Sequence, residues 1–391
     1  MNTFRALAFT TTLSSAVCVG GCSLGADSAK ESVSTSSVHS TAATSTSAVS
    51  ESSVQTTPTQ EVAQQEQLRR DIGQLMMVGV RNFDDALYAL EQGAGGIFIG
   101  SDTDPALLVQ PGRDLRALRE KVGRAFAVSI DFEGGRVLRH PQVLGSFTSP
   151  RQMAATMSPQ QVRELALQMG QSLAEHGITV NFAPVVDLDG AGLDVVGDRA
   201  FSSDPQVAAD YAAAFAAGML DAGVTPVFKH FPGHGRASGD SHVGGVVTPP
   251  LEELFTHDLR PFAQVSGVEG AAMMLGHMQV PGLRDYRGQE SPASLNDAAY
   301  RLLREGDYPG AVPFGGVIFT DDLSGMRAIS DIASIPDAAM LALVAGADQA
   351  LWISTQQLPE AIDAMVHAVD SGLIDAETVS AKARRVQLIQ R

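Results

Sequence analysis

The sequence predicts an α/β fold, a single (β/α)8 TIM-type barrel that follows a signal peptide and a disordered tether. Three observations support this prediction. Eight short apolar runs lie after residue 66, segments with helix start and stop signals separate them, and little sequence follows the last helix. We therefore place the signal peptide at 1–21, the tether at 22–65 and the barrel at 66–391. An open, doubly wound sheet is the main alternative.

The first 21 residues have the pattern of a secretory signal. Arg5 precedes the apolar stretch "ALAFTTTLSSAVCVG", and small residues come just before Cys22, which is typical of a cleaved signal rather than a spanning helix. The small residues resemble a bacterial lipoprotein signal, in which the cysteine is acylated and becomes the mature N-terminus. An ordinary signal peptide with an incidental cysteine is the alternative. Lipidation of Cys22 predicts attachment to the cell membrane on its extracytoplasmic side.

The tether is predicted from composition. Just over half of residues 27–60 are Ser or Thr, and none is aromatic. Such a stretch buries too little apolar surface to offset the entropy lost on ordering. Cys18 and Cys22 are the only cysteines, so cleavage before Cys22 leaves no pair for an internal disulfide.

The bulk composition narrows the classes of function. The chain of 391 residues is 44% hydrophobic, which suits a globular protein with one large domain or two ordinary ones. Its formal net charge is −17. Because nucleic-acid-binding proteins present basic patches, we expect no nucleic-acid partner.

The eight apolar runs lack polar alternation, as expected for parallel strands buried on both faces. They are "MMVGV" (76–80), "GGIFIG" (95–100), "FAVSID" (126–131), "VNFAPVVD" (180–187), "TPVFKHF" (225–231), "AAMMLGH" (271–277), "GGVIFTDD" (315–322) and "QALWIS" (349–354). Parallel strands need crossover connections. Two helical crossovers are clear. One has Ser158 as N-cap, Pro159 in its first turn, Gln161 completing a capping box and Gly177 beyond its end, and Asp204 begins the other in the same way.

Ionisable residues end most of these runs. They are Asp131, Asp187, Lys229 with His230, His277, and Asp321 with Asp322. Active sites of (β/α)8 barrels lie at the carboxyl ends of the strands. The pattern therefore predicts a catalytic or binding site at that end of the barrel.

The stretch "KHFPGHGRASGDSH" (229–242) raises the question of metal binding or proton transfer. A metal pair at His230 and His234 would need one helix face, and Pro232 with the glycines beside it disfavours a helix there. Lys229 also opposes a cation. We therefore expect no metal and interpret the stretch as a loop with flexible glycines, in which His234 shapes the loop.

Two pairs of residues suggest acid–base and nucleophilic chemistry. In "GDSH", Asp240 can accept a hydrogen bond from one ring nitrogen of His242 and leave the other for proton transfer. An exposed histidine beside a turn aspartate is the alternative. In "VIFTDD", Asp321 ends a strand and can attack an anomeric carbon, while Asp322 can serve as a cap.

Five motifs together resemble a known family. "IDFEGGRVLR", "GDRAFS", "KHFPGHG", "DSH" and "GVIFTDDLSGM" follow one another in the order found in the family 3 glycoside hydrolases, from about residue 68 to the end. Within that family they resemble the bacterial β-N-acetylglucosaminidases of cell-wall recycling. The resemblance implies a retaining exo-enzyme that releases terminal β-linked N-acetylglucosamine from cell-wall glycans without a metal or organic cofactor.

The resemblance also implies roles for single residues. Asp321 corresponds to the nucleophile, His242 to the acid/base and Asp240 to its partner. The positions that match sugar-binding residues are Asp131, Arg139, Arg199, Lys229 and His230. Glu133 is close enough in sequence to share the role of Asp131, Asp187 is expected to be structural, and His277 has no assigned role.

Three alternatives remain open. A histidine acid/base is compatible with a phosphorylase, because a second carboxylate would repel phosphate. A β-glucosidase of the same family is the second alternative, and a lipid-tethered protein that only captures wall fragments is the third. We expect a monomer and leave the natural aglycone open.

Overall fold

The computed structural model describes residues 58–391, with side chains from residue 61. The signal peptide, Cys22 and most of the tether lie outside the described residues. The described part has fifteen α-helices, which account for every crossover. They are α1 (Pro58–Gln74), α2 (Phe83–Glu91), α3 (Ala106–Val109), α4 (Leu115–Val122), α5 (Pro141–Leu144), α6 (Pro150–Thr156), α7 (Pro159–Glu175), α8 (Pro205–Asp221), α9 (Leu251–Thr256), α10 (Leu259–Val265), α11 (Asp297–Glu305), α12 (Arg327–Ser330), α13 (Ile335–Ala345), α14 (Leu358–Asp370) and α15 (Ala376–Gln387).

Twelve strands occur in the same residues. They are β1 (Met76–Val80), β2 (Gly96–Ile99), β3 (Ala127–Ile130), β4 (Phe132–Gly134), β5 (Val137–Leu138), β6 (Val180–Asn181), β7 (Thr225–Phe231), β8 (Val246–Val247), β9 (Ala272–Leu275), β10 (Met278–Gln279), β11 (Ile318–Thr320) and β12 (Ala350–Trp352). Strands β4 and β5 form a hairpin, and β8 pairs with β10. The other eight are the predicted strands.

The eight strands form a parallel barrel. Their order is β11-β9-β7-β6-β3-β2-β1-β12, and the two ends of this row meet at a parallel bridge between Phe319 and Gln349. The amide of Asp348 donates to the carbonyl of Ile318 (2.8 Å) at the same seam. An open sheet leaves its end strands unpaired, so the barrel prediction is confirmed and the doubly wound alternative is wrong.

The predicted capping of the crossover helices is present. Ser158 Oγ accepts from the amide of Gln161, and Gln161 Oε1 accepts from the amide of Ser158 (2.8 Å), so the capping box is complete. Asp204 accepts from two amides at the start of α8. These caps fix where α7 and α8 begin, and therefore where the loops that precede the two helices end.

Helix α1 corrects the predicted end of the tether. It begins at Pro58, so residues 58–65 are helical and do not belong to a disordered segment. After Pro58 the composition changes from Ser and Thr to Gln, Glu and Ala, which form helices well, and proline suits the first helical turn. Leu68 and Ile72 pack on the core and hold the helix to the barrel.

Large side chains fill the barrel interior. Phe182 stacks on Phe98 at 5.8 Å and contacts the edge of Phe319 at 5.2 Å between ring centroids. Ile389, just after α15, joins this interior cluster, so α15 lies across the amino-terminal end of the strands. The interior is thus a packed core rather than a channel. Within residues 58–391, no helix combines the length and the apolar character that crossing a bilayer requires.

A buried lysine lies at the amino-terminal end of the barrel. The ammonium group of Lys382, 4% exposed, donates to the carbonyl of Ala347 (2.7 Å). Burial lowers its pKa to about 8, although Asp348 acts in the opposite direction. The uncharged amine is therefore the form that folding favours.

This pKa predicts a rise in stability with pH. Between about pH 8 and the ordinary lysine pKa of about 10.4, the unfolded chain binds more protons at this site, so raising the pH favours the folded state. We expect Lys382→Met to be more stable than the natural protein at pH 7 and to lose about 3 kcal/mol of that advantage by pH 10. Urea unfolding of both proteins across this range measures it. A constant difference would contradict the prediction.

Candidate active site

A buried ion network lies beneath the carboxyl ends of β3 and β7. Lys229 Nζ lies 2.8 Å from Asp131 Oδ1 and 2.7 Å from Glu133 Oε1. Arg199 contacts both oxygens of Glu133 at 2.8 Å through Nε and Nη2. The Glu133 side chain is 0% exposed, so its two hydrogen-bonded cations compensate the cost of burying its charge.

The network keeps its members ionised. Burial opposes charge on Glu133, but Arg199 and Lys229 outweigh it and hold the pKa of Glu133 well below its usual range. Burial likewise opposes the charge of Lys229, and Asp131 with Glu133 raises its pKa. The pKa of Arg199 is also raised, chiefly by Glu133 against burial. The result is a fixed set of charged hydrogen-bonding groups.

Asp187 orients the histidine that follows Lys229. Its Oδ2 lies 2.6 Å from His230 Nδ1, and its Oδ1 accepts from the amides of His230 (3.2 Å) and His234 (2.7 Å). Because Asp187 accepts at Nδ1, His230 presents Nε2 toward Asp321, at 3.8 Å from Oδ2. Burial works against the charge of Asp187, yet these contacts lower its pKa. The peptide bond between Lys229 and His230 is cis.

Asp321 and Asp322 differ in what they contact. Asp321 Oδ1 accepts only from the amide of Asp322 (2.9 Å) among the described residues, and its side chain is 14% exposed. Burial raises the pKa of Asp321, but His230 and His277 with other groups lower it overall. Asp322 accepts from the amides of Ser324 (2.8 Å) and Gly325 (2.9 Å). Asp322 therefore caps a turn, and Asp321 keeps an oxygen for chemistry.

His277 is a buried support for this turn. Its Nε2 lies 2.9 Å from the carbonyl of Asp322, and its Nδ1 lies 2.7 Å from Ser294 Oγ. Since a carbonyl only accepts, Nε2 carries the proton and Nδ1 accepts from the hydroxyl. Burial lowers the pKa of His277. The residue left without a role by sequence thus holds the segment that presents Asp321.

His242 and Asp240 lie in the loop of residues 232–245 between β7 and β8. His242 Nδ1 is 2.7 Å from Asp240 Oδ1, which also accepts from the amide of His242 (2.9 Å). These hydrogen bonds lower the pKa of Asp240 against the effect of partial burial. The His242 side chain is 53% exposed. Nδ1 is therefore the donor to the carboxylate, and Nε2 is left for proton transfer.

His234 begins the same loop. Within the described residues neither ring nitrogen has a hydrogen-bond partner, and burial lowers the pKa of His234 so that the ring is neutral. Its amide is anchored by Asp187. A Cβ on Gly235 would lie 1.8 Å from the carbonyl oxygen of Leu188, so only glycine permits this approach. These features fit the expected loop-shaping role.

Arg139 is held between two loops. Its Nη1 donates to Ser101 Oγ (2.7 Å), and its Nη2 lies 3.6 Å from Asp131 Oδ2. The next residue, His140, has a left-handed backbone (φ 51°), and its Nε2 lies 2.9 Å from the carbonyl of Gly100. The β4–β5 hairpin is thereby tied to the loop after β2, which fixes the guanidinium position.

Two cavities meet above these residues. The smaller, of about 190 Å³, is lined by charged and polar groups that include Lys229, His230 and Arg199. The larger, of about 510 Å³, extends over the ends of β1, β2 and β12. Both are lined by Asp131, Arg139, His242, Asp321 and Met326. Among residues 58–391, no cluster of three or more His, Cys, Asp or Glu side chains is arranged to hold a metal ion.

Comparison with known proteins agrees with this architecture. Residues 67–389 match the glycosyl hydrolase family 3 N-terminal domain. The chain belongs to glycoside hydrolase family 3. It is therefore a glycoside hydrolase, and the resemblance seen in the five sequence motifs is confirmed.

Individual relatives of this glycoside hydrolase carry more specific names. The chain is 47% identical over 325 residues to beta-hexosaminidase LpqI of Mycobacterium tuberculosis, covering 81% of each chain. A family 3 glycosyl hydrolase structure from Mycobacterium smegmatis has 46% identity and a TM-score of 0.79, covering 83% of this chain and 97% of the other. A β-N-acetylglucosaminidase structure from Paenibacillus has 30% identity and a TM-score of 0.75, covering 82% and 62%.

The fold of this glycoside hydrolase brings all the candidate site residues of the barrel to the smaller cavity or into contact with a residue that lines it. The eight are Asp131, Arg139, Arg199, Lys229, His230, His242, Asp321 and, as the partner of His242, Asp240. Arg199 pairs with Glu133, whereas Asp198 pairs with Arg136 (3.0 Å). Sequence reasoning underrated Glu133 and Asp187. Their place at or just beyond the end of an apolar run was the available signal, but Arg199, a partner of Glu133, is 66 residues away along the chain and His230, a partner of Asp187, is 43 residues away.

Proposed function

We propose that this glycoside hydrolase is a retaining exo-β-N-acetylglucosaminidase that acts by double displacement. The observation that carries the proposal is that Asp321 and His242 line the same cavity, whose walls also carry the charged groups of Asp131, Arg199 and Lys229. The names of the relatives, beta-hexosaminidase and β-N-acetylglucosaminidase, support the choice of sugar. Neither step calls for a metal or an organic cofactor.

Asp321 acts as the nucleophile in the first step. Its carboxylate attacks the anomeric carbon and forms a glycosyl ester, while the bond to the leaving oxygen breaks. The neighbouring His230 and His277, with Lys229, support this role because they lower the pKa of Asp321 against the effect of burial and keep it ionised. Asp322 cannot substitute, since both of its oxygens are engaged in the turn.

His242 acts as acid and then as base. In its protonated form, Nε2 donates a proton to the leaving oxygen, and Asp240 stabilises the imidazolium through Nδ1. In the second step the neutral ring takes a proton from water, which attacks the ester and releases the sugar. The exposed position of His242 in a glycine-containing loop supports gating by loop closure.

The smaller cavity recognises the terminal sugar. Lys229, Arg199 and His230 are held in fixed positions by buried carboxylates, so they lose little freedom when they bind hydroxyl groups. Arg139 closes the wall. A polar cavity of about 190 Å³ suits one sugar unit, which is what an exo-enzyme removes.

The proposed substrate is a cell-wall glycan that ends in β-linked N-acetylglucosamine. The lipoprotein-like signal before Cys22 and the Ser/Thr-rich segment after it support a lipid anchor on the extracytoplasmic side of the cell membrane. An enzyme held there meets wall polymers and their fragments.

Product analysis tests the proposed reaction. The full-length protein is incubated with a β-N-acetylglucosaminide with and without phosphate, and the first-formed anomer is followed by NMR. Free β-N-acetylglucosamine in both conditions is expected. A sugar 1-phosphate formed with phosphate would identify a phosphorylase. Turnover of a β-glucoside alone would overturn the choice of sugar, and no turnover of either would favour the binding-protein alternative.

Removal of the acid/base predicts a dependence on the leaving group. We expect His242→Ala to lower kcat/KM about 10²- to 10⁴-fold for an alkyl aglycone, which needs protonation, and far less for dinitrophenol, which does not. Initial rates with both substrates measure this, and His257→Ala serves as a control on a partly exposed histidine away from the cavities. Equal losses on the two substrates would contradict the assignment.

A further inference from the structure

We infer that Arg236 is a positioning residue, which through its ion pair with Asp258 fixes the base of the loop that carries the acid/base pair. That loop is residues 232–245 and is called the acid/base loop below. The inference rests on the proposed function and deepens it, because it assigns what holds His242 in place for proton transfer. Its starting point is an ion pair with a buried carboxylate that the proposed chemistry does not use.

Arg236 contacts one oxygen of Asp258 through two nitrogens. Its Nε and Nη2 lie 2.9 and 2.6 Å from Asp258 Oδ2. Asp258 is 1% exposed, and its Oδ1 has no hydrogen-bond partner among residues 58–391. His257 Nδ1 is 3.6 Å from Oδ2, beyond hydrogen-bond distance. Arg236 therefore supplies the hydrogen bonds that compensate this buried charge, and separating the pair would leave the carboxylate without them.

Asp258 occupies a position where an aspartate ordinarily serves its own helix. It comes directly before α10, where an aspartate is favoured because its carboxylate accepts from amides of the first turn. In the described structure the side chain of Asp258 makes no such bond. It accepts instead from Arg236, 22 residues earlier. A local preference given up for a distant contact is typical of residues that serve function.

The first half of the acid/base loop packs on the same wall. A Cβ on Gly233 would lie 2.8 Å from Asp258 Cβ, so the backbone passes directly over the carboxylate that holds Arg236. Farther along, the amide of Ser238 donates to the carbonyl of Val247 (2.8 Å), and Ser238 Oγ accepts from the amide of Val247 (3.0 Å). The chain is thus held from Gly233 to Ser238 and again at Val247.

Residues 239–245 lie between these fixed points and carry the acid/base pair. A Cβ on Gly244 or Gly245 would meet no atom of the described chain within 4 Å, so this part is loosely packed. Its tip contacts the segment after the nucleophile, where the amide of Ala328 donates to the carbonyl of Ser241 (3.2 Å). The acid/base pair therefore lies on a short, adjustable segment whose base is anchored by Arg236.

An anchored base preserves the geometry of proton transfer. A general acid must lie within hydrogen-bond reach of the leaving oxygen, and a misplacement of about 1 Å can cost about 10²-fold in rate. Without the ion pair, more of the loop must be ordered when His242 moves over the substrate, which costs conformational entropy. Arg236 and Asp258 line neither cavity, so their effect on the reaction passes through the acid/base loop.

The test compares two leaving groups in variants of the anchor. Arg236→Ala is assayed on an alkyl and on a dinitrophenyl β-N-acetylglucosaminide, beside His242→Ala. Arg163→Ala is the matched control, because Arg163 Nε and Nη2 lie 2.9 and 2.8 Å from one oxygen of Asp221. That pair has the same geometry and joins α7 to α8, away from both cavities.

We expect kcat/KM for the alkyl substrate to fall about tenfold or more in Arg236→Ala, while the value for the dinitrophenyl substrate stays within about threefold. Arg236→Lys should recover most of the loss, because an ammonium group can still pair with Asp258. Arg163→Ala should match the natural protein on both substrates. Equal losses on both substrates in Arg236→Ala, or a loss on neither, would overturn the inference.

A second variant covers the case in which Arg236→Ala does not fold. Arg236→Ala combined with Asp258→Ala removes both charges, so no unpaired carboxylate stays buried, and the same dependence on the leaving group is expected. Natural activity of this double variant on both substrates would show that the pair only compensates charge, which overturns the inference. If His242→Ala itself shows no dependence on the leaving group, the proposed function fails, and the inference fails with it.

Discussion

Asp321→Asn is expected to lower kcat by on the order of 10³-fold or more on any β-N-acetylglucosaminide, because an amide cannot form the glycosyl ester. The fold should persist, since the amide oxygen can still accept from the amide of Asp322. Steady-state kinetics, thermal unfolding and calorimetric binding of N-acetylglucosamine to the same preparation separate these effects.

The neighbouring carboxylate provides a matched control. Asp322→Asn removes a carboxylate one residue away, whose two oxygens accept hydrogen bonds from the turn of residues 322–325. We expect it to retain turnover with a modest loss of stability, of about 1 kcal/mol. Substantial activity in Asp321→Asn, or equal losses in both variants, would show that the nucleophile is assigned wrongly.

Glu133→Gln should be the most destabilising change in the site. It leaves two buried cations, Lys229 and Arg199, with one carboxylate fewer between them, and breaking a buried pair typically costs about 3–5 kcal/mol. We expect a loss of that size in the free energy of unfolding at pH 7. The KM for the sugar should also rise, because both cations lose their fixed positions.

At acidic pH, the difference in the free energy of unfolding between the natural protein and Glu133→Gln should become smaller. The pKa of Glu133 is lowered by folding, so its contribution is present above the unfolded value of about 4.3 and declines as the pH falls below it. Urea unfolding at pH 7 and below pH 4 measures this. The surface pair Arg136–Asp198 provides the comparison, since Asp198→Asn should cost at most about 1 kcal/mol. A similar cost for both variants would refute a central role for Glu133.

Much of the barrel could be predicted because its signals are local. Each buried strand appears as an apolar run, and proline with an N-cap residue marks α7 and α8 within a few positions. The segment 180–187 shows the limit, since its regular strand ends at Asn181. Pro184 has no amide to pair with a neighbouring strand, although a bridge between Val185 and Lys229 continues the contact.

The sequence could predict which residues belong to the site, but it could not predict which of them contact one another. The family motifs identified residues such as Asp321 and His242, but a motif does not state that Arg199 pairs with Glu133 rather than with Asp198. That choice depends on the distance between loops that are 66 residues apart. The tautomer of His277 and the two cavities likewise depend on contacts between residues that are distant in sequence, so they become visible only in the folded barrel.

The course of α1 determines on which side of the barrel the amino-terminal end of the described residues lies. Gln74, at the end of α1, accepts from Gln349 just before β12, whereas Arg69 pairs with Asp363 on α14, which runs back from the far end of β12. A helix of 17 residues spans about 25 Å, so Pro58 lies toward the rim on which the cavities open. Direct attachment at Pro58 therefore places the support on the side of the barrel mouth, while attachment through Arg391, near the start of β3, places it on the opposite side. Enzyme immobilised in these two orientations should differ in access to long polymers and agree on small glycosides.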